Sequence, residues 1–200
     1  MIPLSFAQAR LWFLNQVEGP SPTYNVPLTV RLRGPLDREA LRAAVTDLTD
    51  RHEALRTVYV ERDGSPWQQV LDGPSVVWSV AEYTPEAVRT AAGHGFDLAA
   101  ELPLRAHLFE AGPTDHTLLL VLHHIAADGW SLDPLVRDLA TAYRARTAAG
   151  RHRSGSRCRC STPTTRSGSR SCSARPTTRR ACSPSNSPTG APRWPSCRRS

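Results

Sequence analysis

The stretch TLLLVLHHIAADG, residues 117–129, decides how this chain folds. Its first part, Thr117–Leu122, is almost wholly apolar and has the length of a buried strand. Its second part, His123–Gly129, follows at once with two imidazoles, a carboxylate and a glycine. A titratable segment directly after a buried strand is typical of an active-site loop, because imidazole exchanges protons near neutral pH. By itself the heptad does not establish catalysis, since function depends on the geometry of a whole site.

A metal site is disfavoured at this loop. Adjacent histidines on an extended chain point to opposite faces, and residues 1–150 contain no cysteine that could complete a zinc site.

The segments around the loop predict a layered fold of strands and helices. Leu104–Ala111 is a predicted strand, and the turn at Gly112–Asp115 makes His116–Leu122 its antiparallel partner. Apolar residues after the loop recur at helical spacing over about three turns. Upstream, the pattern predicts a helix over 6–16 with a Ser5–Gln8 capping box, a strand over 28–33, a helix capped by Asp37, a hairpin at Asp63-Gly64 and a short helix over 85–92.

This mixture without a strict βαβ rhythm predicts an α/β (α+β) sandwich, in which a mixed β-sheet is flanked by helices. Residues 1–150 carry 13 Arg against 18 Asp and Glu, a net charge of −5. Residues 151–200 carry 12 Arg and no acidic residue, a net charge of +12. The chain therefore divides into a globular part, 1–150, and a tail, 151–200.

The tail is predicted to be disordered, because it is rich in Arg, Ser, Pro and Cys and has no Val, Ile, Leu, Met, Phe or Tyr to bury. Three interpretations are open. An Arg-rich arm would bind nucleic acid, but Trp194 is its only aromatic residue for base stacking. A metal or redox segment is disfavoured, since the cysteine spacings match no zinc pattern.

A reading-frame error is the favoured interpretation of the tail. Residues 161–169, STPTTRSGS, can be encoded by AGT ACG CCG ACT ACA CGC TCT GGC AGC. Moving the frame back by one base gives Tyr-Ala-Asp-Tyr-Thr-Leu-Trp-Gln. The nucleotide sequence of the gene decides the matter, because stop codons in the shifted frame would contradict this interpretation.

Three segments together resemble the condensation domain of nonribosomal peptide synthetases, within the chloramphenicol-acetyltransferase-like acyltransferase superfamily. SFAQARLWFL, residues 5–14, is similar to the first core motif of that family, and RHEALRT, residues 51–57, to the second. HHIAADGWS, residues 123–131, is similar to the third, the active-site motif HHxxxDG. The resemblance covers about residues 2–150 and implies the N-terminal lobe of a two-lobed domain. The shifted frame of the tail resembles the fourth motif of the family.

The resemblance implies roles for five residues. His124 would act on the amine of the acceptor, as a general base or by positioning it and stabilising the transition state. His123 belongs to the same catalytic motif, with a structural role favoured, and Gly129 would give room to the reacting group or to a close turn. Asp128 would be structural and would pair with Arg56, so that removing either would be strongly destabilising.

The resemblance also implies the partners. The family joins an upstream aminoacyl or peptidyl thioester to the amine of a downstream aminoacyl thioester, both carried on phosphopantetheine by peptidyl carrier domains, and the domain itself binds no cofactor. No membrane helix or secretory signal is predicted, and cysteine-free residues 1–150 fit a cytoplasmic protein. A single lobe is expected to have little or no activity. The alternatives are a non-catalytic remnant and, less favoured, an Arg-rich nucleic-acid-binding protein.

Overall fold

A computed structural model describes residues 2–154. The tail hypotheses concern residues that lie almost entirely outside the described part. The elements are, in chain order, β1 (Ile2–Pro3), α1 (Phe6–Glu18), β2 (Asn25–Arg33), α2 (Arg38–Arg51), β3 (Thr57–Arg62), β4 (Ser65–Val70), β5 (Val77–Glu82), α3 (Pro85–Ala92), β6 (Leu104–Gly112), β7 (Asp115–His123) and α4 (Gly129–Ser154).

The strands form two sheets, where the sequence predicted one. β1, β4 and β3 make a small antiparallel sheet in that order. The β3–β4 turn is the predicted hairpin, in which Asp63 and Gly64 both have positive φ, 51° and 72°, as tight hairpin loops require.

The larger sheet has the strand order β2-β7-β6-β5 and is mixed, as predicted. β2, β7 and β6 run antiparallel, whereas β5 and β6 run parallel and are connected through α3. The register between β2 and β7 places Asn25 opposite His123, so the N-terminal end of β2 lies beside the start of the polar loop.

The middle of β7, residues 118–122, is an unbroken apolar run because both faces of the sheet are covered there. Leu118, Leu120 and Leu122 belong to one buried cluster with residues of α2 and α4. Leu119 and Val121 belong to a second cluster on the opposite side. All five are at most 1% exposed. A strand that is buried on both faces shows no polar alternation, which explains the unbroken run in the sequence.

Several helix predictions are confirmed in detail. Ser5 and Gln8 form the capping box of α1, and the Asp37 carboxylate accepts the Ala40 N–H at 2.9 Å at the start of α2. The predicted length of α4, about three turns, is wrong, because the helix has 26 residues and runs from Gly129 to Ser154. The apolar spacing revealed only the part of α4 that packs on the core, with Leu135, Leu139 and Ala142 buried, and the arginines that follow are good helix formers.

Candidate active site

The loop between β7 and α4 is held by backbone hydrogen bonds to distant parts of the chain. The His123 N–H donates to the Pro103 carbonyl at 3.0 Å, and the His124 N–H donates to the Tyr24 carbonyl at 2.8 Å. The Tyr59 hydroxyl, which is buried, donates to the Ile125 carbonyl at 3.4 Å. These contacts give the loop one defined position at the end of the central strand.

His123 is a buried, neutral imidazole. It is 1% exposed and packs edge-on against Phe96, with ring centroids 6.0 Å apart, and beside Tyr24. Burial, with a smaller contribution from His124, lowers the pKa of His123 to about 4. Its Nδ1 accepts the Ile125 N–H at 3.1 Å, so the ring proton lies on Nε2. This environment favours the structural interpretation of His123.

His124 is exposed and has a defined tautomer. Its Nδ1 lies 2.8 Å from the Ala127 carbonyl oxygen. A carbonyl can only accept, so Nδ1 carries the proton and the neutral ring has its lone pair on Nε2. Nε2 makes no hydrogen bond within residues 2–154. The geometry therefore leaves an imidazole nitrogen that can accept a proton at the surface of the loop.

The expected ion pair between Asp128 and Arg56 does not form in the structure. The Asp128 carboxylate is exposed and accepts the Ser131 N–H at 3.0 Å and the Ser131 hydroxyl at 2.6 Å. The Ser131 hydroxyl in turn accepts the Asp128 N–H at 3.3 Å. Asp128 therefore caps the first turn of α4, and the hydrogen bonds from Ser131 lower the pKa of its carboxyl.

Arg56 has other partners, which is the physical reason for this correction. Its guanidinium donates to the Leu71 carbonyl at 2.7 Å and lies 3.3 Å from Glu53 and 3.5 Å from Asp72. Glu53 lies just before β3, and Leu71 and Asp72 lie just after β4. These groups compensate the charge of Arg56 without Asp128.

Asp128→Asn is expected to leave the stability of the chain almost unchanged, whereas Asp128→Ala lowers it. The asparagine side chain can still accept the Ser131 N–H, and the alanine side chain cannot. Urea unfolding of the two variants measures the difference. A large loss of stability in the asparagine variant would instead support an ion pair that the amide cannot make.

Gly129 is the first residue of α4, and the local structure does not require a glycine there. A Cβ at this position would meet no atom within 4 Å, and its φ is not positive. The predicted roles of Gly129, room for a reacting group or a close turn, stay predictions.

A cavity of about 510 Å³ lies beside the loop and does not include His124. His52, which has no predicted role, lines this cavity, and its Nε2 lies 2.9 Å from the Asp138 carboxylate. The cavity lining is completed by Ala54, Leu55, Ala126, Ala127, Asp128, Trp130, Ser131, Pro134 and Leu135.

Sequence reasoning also missed Phe96, which packs against His123, and the Tyr24 carbonyl, which accepts the His124 N–H. A backbone carbonyl leaves no signal in a sequence.

Within the described residues, no cluster of three or more His, Cys, Asp or Glu side chains could hold a metal ion. None of the helices in this part of the chain is both long and apolar enough to cross a membrane.

The comparison with protein families identifies the class. The condensation-domain model matches residues 1–154, and the chain belongs to the condensation-domain family. The segment that contains the two adjacent histidines begins at the last residue of β7, His123, and continues into the loop before α4.

Particular relatives are nonribosomal peptide synthetases. The chain is 62% identical over 149 residues to CymA of Salinispora arenicola, a probable non-canonical nonribosomal peptide synthetase, covering 74% of this chain and 2% of that protein. It is 53% identical over 151 residues to a dimodular nonribosomal peptide synthase of Bacillus subtilis, covering 72% and 6%. The chain therefore spans only a small fraction of the relatives that it matches.

Solved structures agree with this fold. The X-domain from teicoplanin biosynthesis has a TM-score of 0.67 at 36% identity, covering 74% of this chain and 33% of that one. The starter condensation domain of rhizomide synthetase RzmA has a TM-score of 0.67 at 22% identity, covering 74% and 38%. The latter likeness concerns the fold alone. The chain corresponds to roughly a third of either structure.

Proposed function

We propose that this chain is the lobe of an amide-forming condensation domain that carries the reacting imidazole. The observation that supports this most strongly is the state of His124. Its Nδ1–H is bound to the Ala127 carbonyl, and its Nε2 is free to accept a proton among the described residues. The neighbouring His123 is buried with a pKa of about 4, so the motif contains one accessible imidazole and one enclosed imidazole.

In the proposed reaction the amine nitrogen of the acceptor attacks the thioester carbon of the donor. A C–N bond forms and the C–S bond breaks. The nitrogen loses one proton as it becomes the amide, and the sulfur of the donor arm leaves as a thiolate that takes up one proton. An α-ammonium group has a pKa near 8, so a modest base is enough to free the attacking amine. His124 Nε2 either takes that proton or holds the amine and stabilises the charge that develops on it.

The remaining residues of the motif act on the loop. Asp128 fixes the start of α4 through Ser131, and His123 fixes the end of β7 through its packing on Phe96. Neither needs to touch substrate.

The proposed partners are carrier domains. The donor and acceptor would be aminoacyl or peptidyl groups on the phosphopantetheine of an upstream and a downstream carrier domain, and this lobe would bind no cofactor of its own. Covalent tethering of both reactants raises their effective concentration, so much of the rate enhancement would come from positioning. A cytoplasmic location stays a prediction.

The purified 200-residue chain is expected to form no detectable dipeptidyl product when it is mixed with two loaded carrier domains. His124 is exposed, so within the described residues the amine would meet water, and nothing would hold the two thioesters in line. Mass spectrometry of the intact carrier domains measures the product. Product from this chain alone would overturn the expectation that a single lobe is inactive.

The same assay tests the proposed function in a complete domain, in which the coding sequence continues in the restored frame. Amide product from that longer protein, and none from the 200-residue chain, supports a catalytic lobe. Absence of product from both supports the alternative of a non-catalytic remnant. The nucleic-acid alternative concerns residues outside the described part, and salt-insensitive or absent DNA binding by the whole chain would dismiss it.

A further inference from the structure

Two backbone segments approach each other closely at Gly95. The first segment, residues 20–25, leads from α1 into β2, and the second, residues 93–96, is the connection after α3. A Cβ at this position would lie 2.7 Å from both the carbonyl carbon and the carbonyl oxygen of Pro20, and 3.0 Å from the Ser21 nitrogen. Backbone atoms cannot rotate away as the end of a side chain does. Restoring ordinary carbon–carbon contact, about 3.5–4.0 Å, would require a displacement on the order of 1 Å. A larger residue at position 95 would therefore push the two segments apart.

Hydrogen bonds hold the same two segments together. The Asn25 side-chain amide donates to the Ala92 carbonyl at 2.8 Å and to the His94 carbonyl at 2.7 Å. These carbonyls lie at and beyond the C-terminal end of α3, where carbonyl groups lack partners within the helix. From α1, the Asn15 side chain donates to the Phe96 carbonyl at 3.1 Å. Hydrogen bonds therefore hold the connection after α3 on both sides of Gly95, from Asn25 before it and from Asn15 after it.

Each segment contacts one of the two adjacent histidines. In the first segment, the Ser21 hydroxyl accepts the Thr23 N–H at 3.2 Å and caps the 3₁₀ turn Pro22–Tyr24. The Tyr24 carbonyl at the end of that turn accepts the His124 N–H at 2.8 Å. A displacement at Ser21 is therefore carried through one short turn to the backbone of His124.

In the second segment, Phe96 directly follows Gly95 and is fully buried against His123. The separation of the two segments at Gly95 therefore sets the positions of the groups that hold both imidazoles.

We propose that Gly95 is a positioning residue for His124. Its missing side chain lets the connection after α3 close on Pro20 and Ser21, and this contact places the Tyr24 carbonyl where it holds the His124 backbone. Gly95 touches neither histidine and acts through Tyr24 and Phe96. The importance of this position of His124 for catalysis rests on the proposed function, whereas the position itself can be measured without any reaction.

The test is histidine NMR on the 200-residue chain labelled with ¹⁵N-histidine, in which His124→Ala assigns the signal. In the native chain the neutral His124 ring is expected to carry its proton on Nδ1. In Gly95→Ala we expect loss of this single tautomer, with a mixture of Nδ1–H and Nε2–H forms, because the backbone of His124 is released. We also expect the pKa of His123 to rise from about 4 towards 6.5 as Phe96 moves.

Gly112→Ala is the matched control, since a Cβ there meets nothing within 4 Å and its φ is not positive. It should leave both histidine signals unchanged. A merely structural role for Gly95 would lower the urea midpoint of Gly95→Ala and leave the His124 tautomer in place, and that result would overturn the proposal.

Asn25→Ala keeps the proposal testable if Gly95→Ala does not fold, because it removes the tether between the segments without adding an atom. It should cause the same loss of the Nδ1–H form, and a native tautomer in this variant would count against the proposal. Neither outcome bears on whether a complete domain forms the amide. Conversely, an inactive complete domain would leave these NMR results intact.

Discussion

Replacement of His124 by alanine in a complete, frame-restored condensation domain is expected to slow amide formation by roughly 10²–10⁴-fold, the range that a positioned proton acceptor contributes. Nε2 of His124 is the accessible imidazole nitrogen of the motif, because the Ala127 carbonyl occupies Nδ1 and His123 is enclosed. Mass spectrometry of the carrier-bound product over time gives the rate.

His124→Gln separates the two proposed actions of this residue. The glutamine amide can donate and accept hydrogen bonds but takes up no proton near neutral pH. If His124 is a general base, the glutamine variant should be as slow as the alanine variant. If His124 positions the amine through a hydrogen bond, glutamine should recover part of the rate.

His107→Gln is the control for these substitutions. His107 lies in β6, where its Nδ1 is 2.8 Å from the Ser79 hydroxyl, and it forms no hydrogen bond with the loop among the described residues. Its replacement should leave the rate unchanged. Unchanged turnover of His124→Ala in a folded domain would remove His124 from the reaction and favour catalysis by substrate positioning alone.

The parts of the fold that depend on local chemistry could be predicted from the sequence. The β3–β4 hairpin follows from Asp63-Gly64, and the β6–β7 pairing follows from the turn at 112–115. The pairing of β2 with β7 could not be predicted, because no turn connects these strands and their register depends on packing on both faces of the sheet. That pairing brings Tyr24 and Asn25 to the loop.

The candidate site shows the same division. The two histidines could be singled out from the sequence, because a titratable segment directly after a buried strand is typical of an active-site loop. Their different environments were not evident, since burial by Phe96 comes from a connection far along the chain. Asp128 shows the opposite error. A distant ion pair with Arg56 was expected, whereas Ser131, three residues away, is its partner. Local capping competes with long-range pairing wherever a carboxylate precedes a helix.

Phe96→Ala is expected to destabilise the chain by about 3–5 kcal/mol, as removal of a fully buried phenylalanine does. Phe96 is 0% exposed and packs edge-on against His94 and His123, with centroid distances of 5.2 and 6.0 Å. It also belongs to the cluster on the side of β7 opposite α2 and α4. Urea unfolding measures the loss as a lower midpoint at an unchanged slope. Phe6→Ala is the matched control, because that side chain is 100% exposed, and it should change stability by less than about 0.5 kcal/mol.

The same variant should also change how stability depends on pH. The pKa of His123 in the folded chain, about 4, lies below its ordinary value of 6.5. Between these values the unfolded chain binds a proton that the folded chain does not, so the free energy of unfolding rises with pH across this window. Removing the Phe96 ring admits water to His123 and brings its folded pKa closer to 6.5, so the rise should be shallower in Phe96→Ala than in Phe6→Ala. Parallel pH profiles for the two variants would show that Phe96 contributes to the core without keeping His123 neutral, and that the low pKa of His123 has its cause in the strands around it.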